Sequence, residues 1–395
     1  MDSFFNYVVW APNPELFSLF FIKIRWYGLF FALGFILALQ IMYLIFKKEG
    51  KPGKDVEALA IYLIIAAIIG ARLGHVFFFE PRLYFADPIK ILMIWEGGLA
   101  GFGAAIGVII AVLIYRNYHI NINFRKFKIR KKKREGQSYF WIVDRIVIVT
   151  ALIACLIRVG NLMNSEFIGK PTASDWGFIF AWEAKEQLLS DNLVTTVKVQ
   201  KPENITEDNV ADEQTLASLV FEAEFVTGEY KFKEENVRSY IEDNLEKNLN
   251  FHTDLRYLEI SGDHPISYQL SKQGNPYVAT IKVLGIKRHP VQLYEAISSF
   301  FIFMVLLIIW IRKKNATKQG LLFGIFLTTF FTLHFIYLFF LDILPYRMVD
   351  LPLTLEQWMS IPMILIGLFL LIYIHRKRKG HHSSQNDAHP IKKSY

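Results

Sequence analysis

The chain has 395 residues, 53% of them hydrophobic and 15% aromatic, with a formal net charge of +8 and a mean hydropathy of +0.29. That balance excludes an ordinary soluble enzyme, because the apolar residues are gathered into long stretches rather than spread along the chain. The single cysteine, Cys155, excludes an intrachain disulfide and any cysteine-based metal site.

A first apolar stretch, Leu16–Ile24, is too short to cross a bilayer and has no basic flank before it, so no cleavable signal peptide is expected. Seven later stretches approach or exceed the roughly 20 mostly apolar residues that a crossing needs. They lie near Tyr27–Phe46, Val56–Phe78, Ile91–Tyr115, Tyr139–Ile157, Leu293–Ile311, Gly320–Leu341 and Trp358–Ile374. Lys47, Lys48, Lys51 and Lys54 follow the first, and Arg116 with the run Arg125–Arg134 follows the third. Arg312, Lys313, Lys314 and Lys318 follow the fifth, and Arg376–Lys379 the seventh. Base in every second connection places the N-terminus outside and the C-terminus in the cytoplasm.

The connection between the fourth and fifth spans is too long to lack structure of its own. Val220–Phe225 and Tyr277–Val283 alternate at period two and predict strands, while Val237, Tyr240, Ile241 and Leu245 predict a helix within Glu234–Asn248. Lys201–Gln214 reads as a loop. The expected fold is therefore an all-α polytopic membrane protein of seven transmembrane helices, with a small α+β extracytoplasmic domain between spans 4 and 5. Its segments are 1–157 (spans 1–4), 158–292 (the head domain), 293–375 (spans 5–7) and 376–395, a basic tail expected to be disordered from Gly380. Residues 173–287 hold 20 acids against 11 Lys and Arg, a net of −9 that leaves +17 on the rest of the chain. The basic runs accordingly read as topology and contact with anionic headgroups rather than a nucleic-acid surface, for which aromatic platforms are missing.

Four polar clusters interrupt the apolar pattern. Arg25, Trp26 and Tyr27 stand at the outer end of span 1, where such residues anchor a helix at headgroup level. Arg72, within Gly70–His75, needs an internal partner that the surrounding small residues do not explain. The five glycines of Gly97–Gly107 mark either tight packing or a break where backbone lines a polar cavity. The fourth, Arg158–Gly169, ends span 4 with an arginine, Asn161, Asn164 and Glu166. A guanidinium clamps phosphate through a fork of donors that lysine lacks. Asn161 and Asn164 would orient it or meet a glycerol hydroxyl, and Glu166 would fix the arginine or take a proton. Arg288–Glu295 re-enters the membrane carrying His289, Gln292, Tyr294 and Glu295. A lone histidine there is more often a structural hydrogen-bonder, but this set is denser than that reading needs.

In this order and on this topology the clusters resemble the prolipoprotein diacylglyceryl transferases. The family signature resembles Arg158–Gly169 at Arg158, Gly160, Asn161, Asn164, Glu166 and Gly169; His289–Glu295, Arg25–Gly28 and Gly70–Gly74 match three further motifs. The resemblance implies transfer of the diacylglyceryl group of phosphatidylglycerol to the lipobox cysteine thiol of a prolipoprotein, without cofactor or metal, in the bacterial inner membrane. Implied partners are phosphatidylglycerol, the lipobox segment and membrane lipids, with no nucleic acid. It makes Arg158, Asn161, Tyr27, Gly169 and Arg72 the candidate lipid-binding residues. Candidate catalytic residues are His289, His334 and Glu166.

The chain departs from the family pattern where members usually carry a histidine (here Phe102) and a tyrosine and arginine (here Phe330 and His334). Phenylalanine takes no proton, and histidine is charged only part of the time near neutral pH. Two readings follow. One is a transferase whose base is His75, His289 or His334; the other is a relative that binds anionic phospholipid or precursor without transfer. A transporter would need discontinuous helices, which only the glycines of span 3 permit.

Overall fold

Long runs of Leu, Ile, Phe and Ala become helices here because a helix satisfies every backbone polar group from within, which lipid requires. The computed structural model describes residues 7–20, 22–123, 126–131, 133–190, 193–202, 215–225, 234–242, 258–259, 267–272, 276–342 and 352–386. Its helices are α1 (Trp26–Lys48), α2 (Gly53–Phe78), α3 (Pro81–Ala86), α4 (Gly101–Asn117), α5 (Tyr139–Met163), α6 (Trp182–Ser190), α7 (Glu234–Tyr240), α8 (Val291–Lys313), α9 (Leu321–Tyr337) and α10 (Leu355–Asn386). Five, namely α1, α2, α5, α8 and α10, are long and apolar enough to cross a membrane, while α4 and α9 are shorter apolar helices.

Several expectations are corrected. The third apolar stretch does not begin as a helix at Ile91: two short 3₁₀ turns, Pro88–Leu92 and Ile94–Glu96, precede Gly97 and Gly98. Those two glycines have φ of 89° and 72°, a left-handed excursion no α-helix can continue through, so α4 starts only at Gly101. Leu16–Ile24, which is not expected to span, contributes to the paired strands Glu15–Leu19 and Ile22–Arg25, and that expectation needs no correction. The tail expected to be disordered from Gly380 stays helical to Asn386, because α10 carries its backbone ladder beyond the apolar segment. Thr354 and Gln357 begin α10 with a reciprocal capping box, Gln357 N–H to Thr354 Oγ1 at 3.2 Å and Thr354 N–H to Gln357 Oε1 at 2.9 Å.

The chain divides into two units. The sheet-bearing unit comprises Met1–Phe30, Arg158–Tyr294 and Phe339–Tyr346. Its two long strands, Leu216–Phe225 and Tyr277–Ile286, pair antiparallel in register from Leu216 opposite Ile286 to Phe225 opposite Tyr277. Val194–Gln200 flanks the first and Ser267–Lys272 the second, with Leu258–Glu259 adding a fifth strand. Leu219, Phe221, Ala223 and Phe225 alternate into the core against Ala279, Ile281 and Val283, as period two demands. Val237, Tyr240 and Ile241 pack on the same core, as the helical spacing predicts. The rest of the predicted helix and most of the Lys201–Gln214 loop lie outside the described residues.

The helical unit comprises Phe31–Ile157, Glu295–Leu338 and Arg347–Tyr395. Helices α2 and α4 touch backbone to backbone: a Cβ on Gly74 would sit 2.8 Å from Gly103 Cα, and one on Gly107 would sit 3.3 Å from Gly70 Cα. Small residues thus serve close packing, the first reading anticipated for this segment, while Gly97 and Gly98 break the helix. At the centre of the unit Arg145 is fully buried and donates to both oxygens of Glu49, at 3.0 and 2.9 Å from Nη2. The indole N–H groups of Trp141 and Trp310 donate to the same carboxylate. Neighbouring Asp144 accepts the N–H groups of Gly320 and Phe323, each at 2.8 Å, and so caps the start of α9. One carboxylate holds α1, α5 and α8 together. Glu49→Ala strands a buried guanidinium and is expected to cost about 3–5 kcal/mol, read as a lower midpoint in mixed-micelle unfolding; Glu49→Ala with Arg145→Leu should regain much of it.

Candidate functional site

The signature segment folds as one continuous device. Helix α5 carries Arg158 and Asn161 one turn apart, and Asn164 follows directly after its last residue, Met163. Arg158 Nη1 donates to Asn161 Oδ1 at 3.4 Å. The chain then turns back: Ser165 and Phe167 have φ of 54° and 57°, and Glu166 N–H donates to Asn161 O at 3.0 Å. The turn returns the Glu166 carboxylate to the helix face, where Asn161 Nδ2 donates to one oxygen at 2.9 Å and Asn164 Nδ2 to the other at 3.1 Å. Asn161 therefore couples the arginine to the carboxylate. Gln292, at the start of α8, donates through Nε2 to the Glu166 carbonyl.

Two glycines let backbone pieces close on this device. A Cβ on Gly160 would stand 3.0 Å from the Tyr27 ring, so Gly160 is what permits Tyr27 to lie against α5. A Cβ on Gly169 would collide with the His289 carbonyl, to which Gly169 N–H donates at 3.1 Å. Gly169 is thus a close-approach glycine. Arg288 Nη1 completes the junction by donating to Gly169 O at 3.0 Å and to Asp342 Oδ2 at 2.7 Å. Asp342 carried no sequence signal, because nothing in its neighbourhood marks a partner 54 residues away. His289 sits beside Tyr294 (Nδ1 to the hydroxyl 3.2 Å) and edge-on to Phe340 at 5.0 Å. Burial holds its imidazole below the ordinary histidine range, so it is neutral at pH 7.

Tyr27, Arg158, Asn161, Glu166, Gly169 and His289 therefore fall within the sheet-bearing unit, whereas Arg72 and His334 belong to the helical unit. Around Glu166, the buried atoms Asn164 Oδ1, Ser165 Oγ and Gln292 Oε1 have no protein partner among the described residues. A cation beside acceptors that lack donors suits a ligand bearing both anionic oxygens and hydroxyl groups.

Arg72 is 3% exposed, and its partners are backbone carbonyls. Nε donates to Ile91 O at 3.0 Å, Nη1 to Gly97 O and to Gly98 O at 3.2 Å, and Nη2 to Lys90 O and to Met93 O at 3.0 Å. These bonds use all five N–H donors of the guanidinium, and its face lies 4.8 Å from the Tyr84 ring centre. The internal partner required of Arg72 is the broken segment before α4. His75 stacks on Phe79 at 5.4 Å and lies 3.4 Å from Glu80. His334 Nδ1 lies 2.8 Å from Glu295 Oε1, with the Phe330 ring nearly parallel to the imidazole at 6.3 Å. Phe102 is packed among aromatic rings, 5.1 Å from Phe78.

Fold and site define the class: a predominantly helical membrane protein with an arginine, two amides and a carboxylate ordered at the end of one long helix. The profile of the prolipoprotein diacylglyceryl transferase family matches residues 14–373, and the chain belongs to that family. Three relatives bear the name phosphatidylglycerol–prolipoprotein diacylglyceryl transferase. The protein of Chloroherpeton thalassium is 32% identical over 93% of this chain and 94% of its own. That of Tolumonas auensis is 29% identical over 92% and 96%, and that of Bacteroides fragilis 27% over 96% and 99%.

Two outcomes follow from this geometry. Arg72→Gln should speed backbone hydrogen exchange across residues 88–98 by tenfold or more, the equivalent of about 1.4 kcal/mol, in mass-spectrometric exchange. His289 binds a proton less readily folded than unfolded. Its contribution to stability is therefore complete above about pH 6.5 and is lost as pH falls through the lower folded-state value. Thermal midpoints of the wild type should drop between pH 7 and pH 5 more than those of His289→Gln.

Proposed function

We propose that this chain transfers the diacylglyceryl group of phosphatidylglycerol to the lipobox cysteine thiol of prolipoproteins. The observation that carries this reading is the family match over residues 14–373 together with the arginine–amide–carboxylate cluster that its signature forms. In the reaction the thiol sulfur bonds to the glyceryl carbon that carries the phosphate ester. The carbon–oxygen bond breaks, and glycerol phosphate leaves with the electron pair. The site must neutralise that leaving phosphate, accept the thiol proton and keep water away.

Arg158 takes the phosphate, and Asn161 keeps the guanidinium turned toward it. Tyr27 and Gly169 shape the pocket wall, and Arg72 acts at a distance by fixing the segment before α4. The unpartnered acceptors around Glu166 suit the glycerol hydroxyls of the headgroup. His334, which pairs with Glu295, is one candidate proton acceptor. Neutral His289 and the Glu166 carboxylate are its competitors. No described contact favours the binding-only reading.

The five long helices with α4 and α9 make seven spans. Each of these two has 17 residues and is about 26 Å long at 1.5 Å per residue, close to the roughly 30 Å of hydrocarbon. Lys47 and Lys48 end α1, Arg116 lies in the last turn of α4, and Arg312 and Lys313 end α8. That distribution supports an N-terminus outside, a C-terminus in the cytoplasm of the bacterial inner membrane, and residues 158–292 as an external head.

The test is transfer from phosphatidylglycerol to a lipobox peptide by purified protein in detergent. Wild type should yield lipidated peptide, and Arg158→Ala should lose about 10²–10³-fold or more in rate. His334→Ala should lose about 10²-fold or more; no loss from either His334→Ala or His289→Ala would assign the proton elsewhere. No product from the wild type would overturn the transferase reading.

A further inference from the structure

Four non-glycine residues among those described have a left-handed backbone, and two of them, Ser165 and Phe167, flank Glu166. For a bulky residue such as phenylalanine this conformation is a genuine outlier that persists only where something holds it. Core packing does not hold it. Phe167 is 53% exposed and belongs to neither apolar core. What its ring does touch is Arg158, whose guanidinium carbon lies 5.1 Å from the ring centre. Strain, exposure and a ring over a cation thus coincide at one residue of the signature loop, at a position where the family pattern prescribes no residue.

We propose that Phe167 is a positioning residue, whose ring packs on the Arg158 guanidinium and fixes its orientation toward the anionic headgroup. A guanidinium bonds phosphate in its own plane, so a ring on its face occupies no donor. The ring also replaces water on that face, which strengthens whatever the edges then bind. The left-handed turn serves two ends at once. It sends the Glu166 carboxylate back to Asn161 and Asn164, and one residue later it swings the aromatic side chain over the arginine. A Phe167 with ordinary extended backbone would not follow from that turn.

This inference rests on the phosphatidylglycerol-binding role given to Arg158, and the experiment separates the two. Full-length wild type, Phe167→Gly, Phe167→Leu, Phe167→Trp and Arg158→Ala are compared in detergent for transfer at varied phosphatidylglycerol, and for thermal midpoint with and without that lipid. Glycine accepts a positive φ without strain, so Phe167→Gly should keep or raise the lipid-free midpoint. The same variant should raise the KM for phosphatidylglycerol by about threefold or more, with kcat changed less. Phe167→Leu should resemble Phe167→Gly in KM, and Phe167→Trp should resemble the wild type.

An unchanged KM in Phe167→Gly would overturn the proposal, as would a KM change accompanied by a fall in the lipid-free midpoint. A Phe167→Leu variant that behaves as the wild type would overturn it too, by showing that bulk alone suffices. If the wild type makes no lipidated peptide, the transferase reading fails on its own account. The lipid concentration for half-maximal thermal protection then decides the inference: Phe167→Gly should need more lipid than the wild type, and equal requirements would overturn it.

Discussion

A guanidinium taken out of water must be met by fixed acceptors, and the architecture of this chain is organised around that demand. Arg145 meets the Glu49 carboxylate and so gathers three long helices on one point. Arg72 meets five backbone carbonyls and holds the segment of two short 3₁₀ turns before α4. Arg288 meets a carbonyl and a carboxylate and ties Gly169 to Asp342. These three act as framework. Arg158 is met by the Asn161 amide oxygen and by the Phe167 ring, contacts that orient its guanidinium.

Much of this was legible in the amino-acid order. Hydropathy located the long helices because a bilayer imposes a length, and period two located Leu216–Phe225 and Tyr277–Ile286 because a half-buried sheet imposes alternation. The signature placed Arg158, Asn161 and Glu166 together, since spacing along one helix and its turn is local information. Long-range partners were not legible. Nothing near Asp342 announces Arg288, and nothing in Gly-Ala-Arg-Leu-Gly says that its arginine will bind carbonyls rather than phosphate. The third apolar stretch was read too long because hydropathy cannot sense backbone handedness, and the paired glycines 97 and 98 decide its start. Phe167 was invisible for a similar reason: its importance lies in a dihedral angle, and phenylalanine gives no hint of one.

The aromatic replacements at Phe102 and Phe330 follow a consistent physical pattern. Each ring lies against other aromatic rings, Phe102 beside Phe78 and Phe330 beside Phe326. Phe330 lies parallel to His334, which in turn faces Glu295. Where the family pattern has a tyrosine and an arginine, this chain has Phe330 and His334.

Cys155, the only cysteine, lies on α5 and is 9% exposed. Families of this kind act on a thiol, and an enzyme that alkylates thiols must tell its acceptor from itself. Here burial makes that distinction, because a thiol packed within a helix bundle cannot enter the reaction geometry that a flexible peptide reaches easily. A second cysteine introduced on an accessible surface would be the sole residue to answer a thiol reagent.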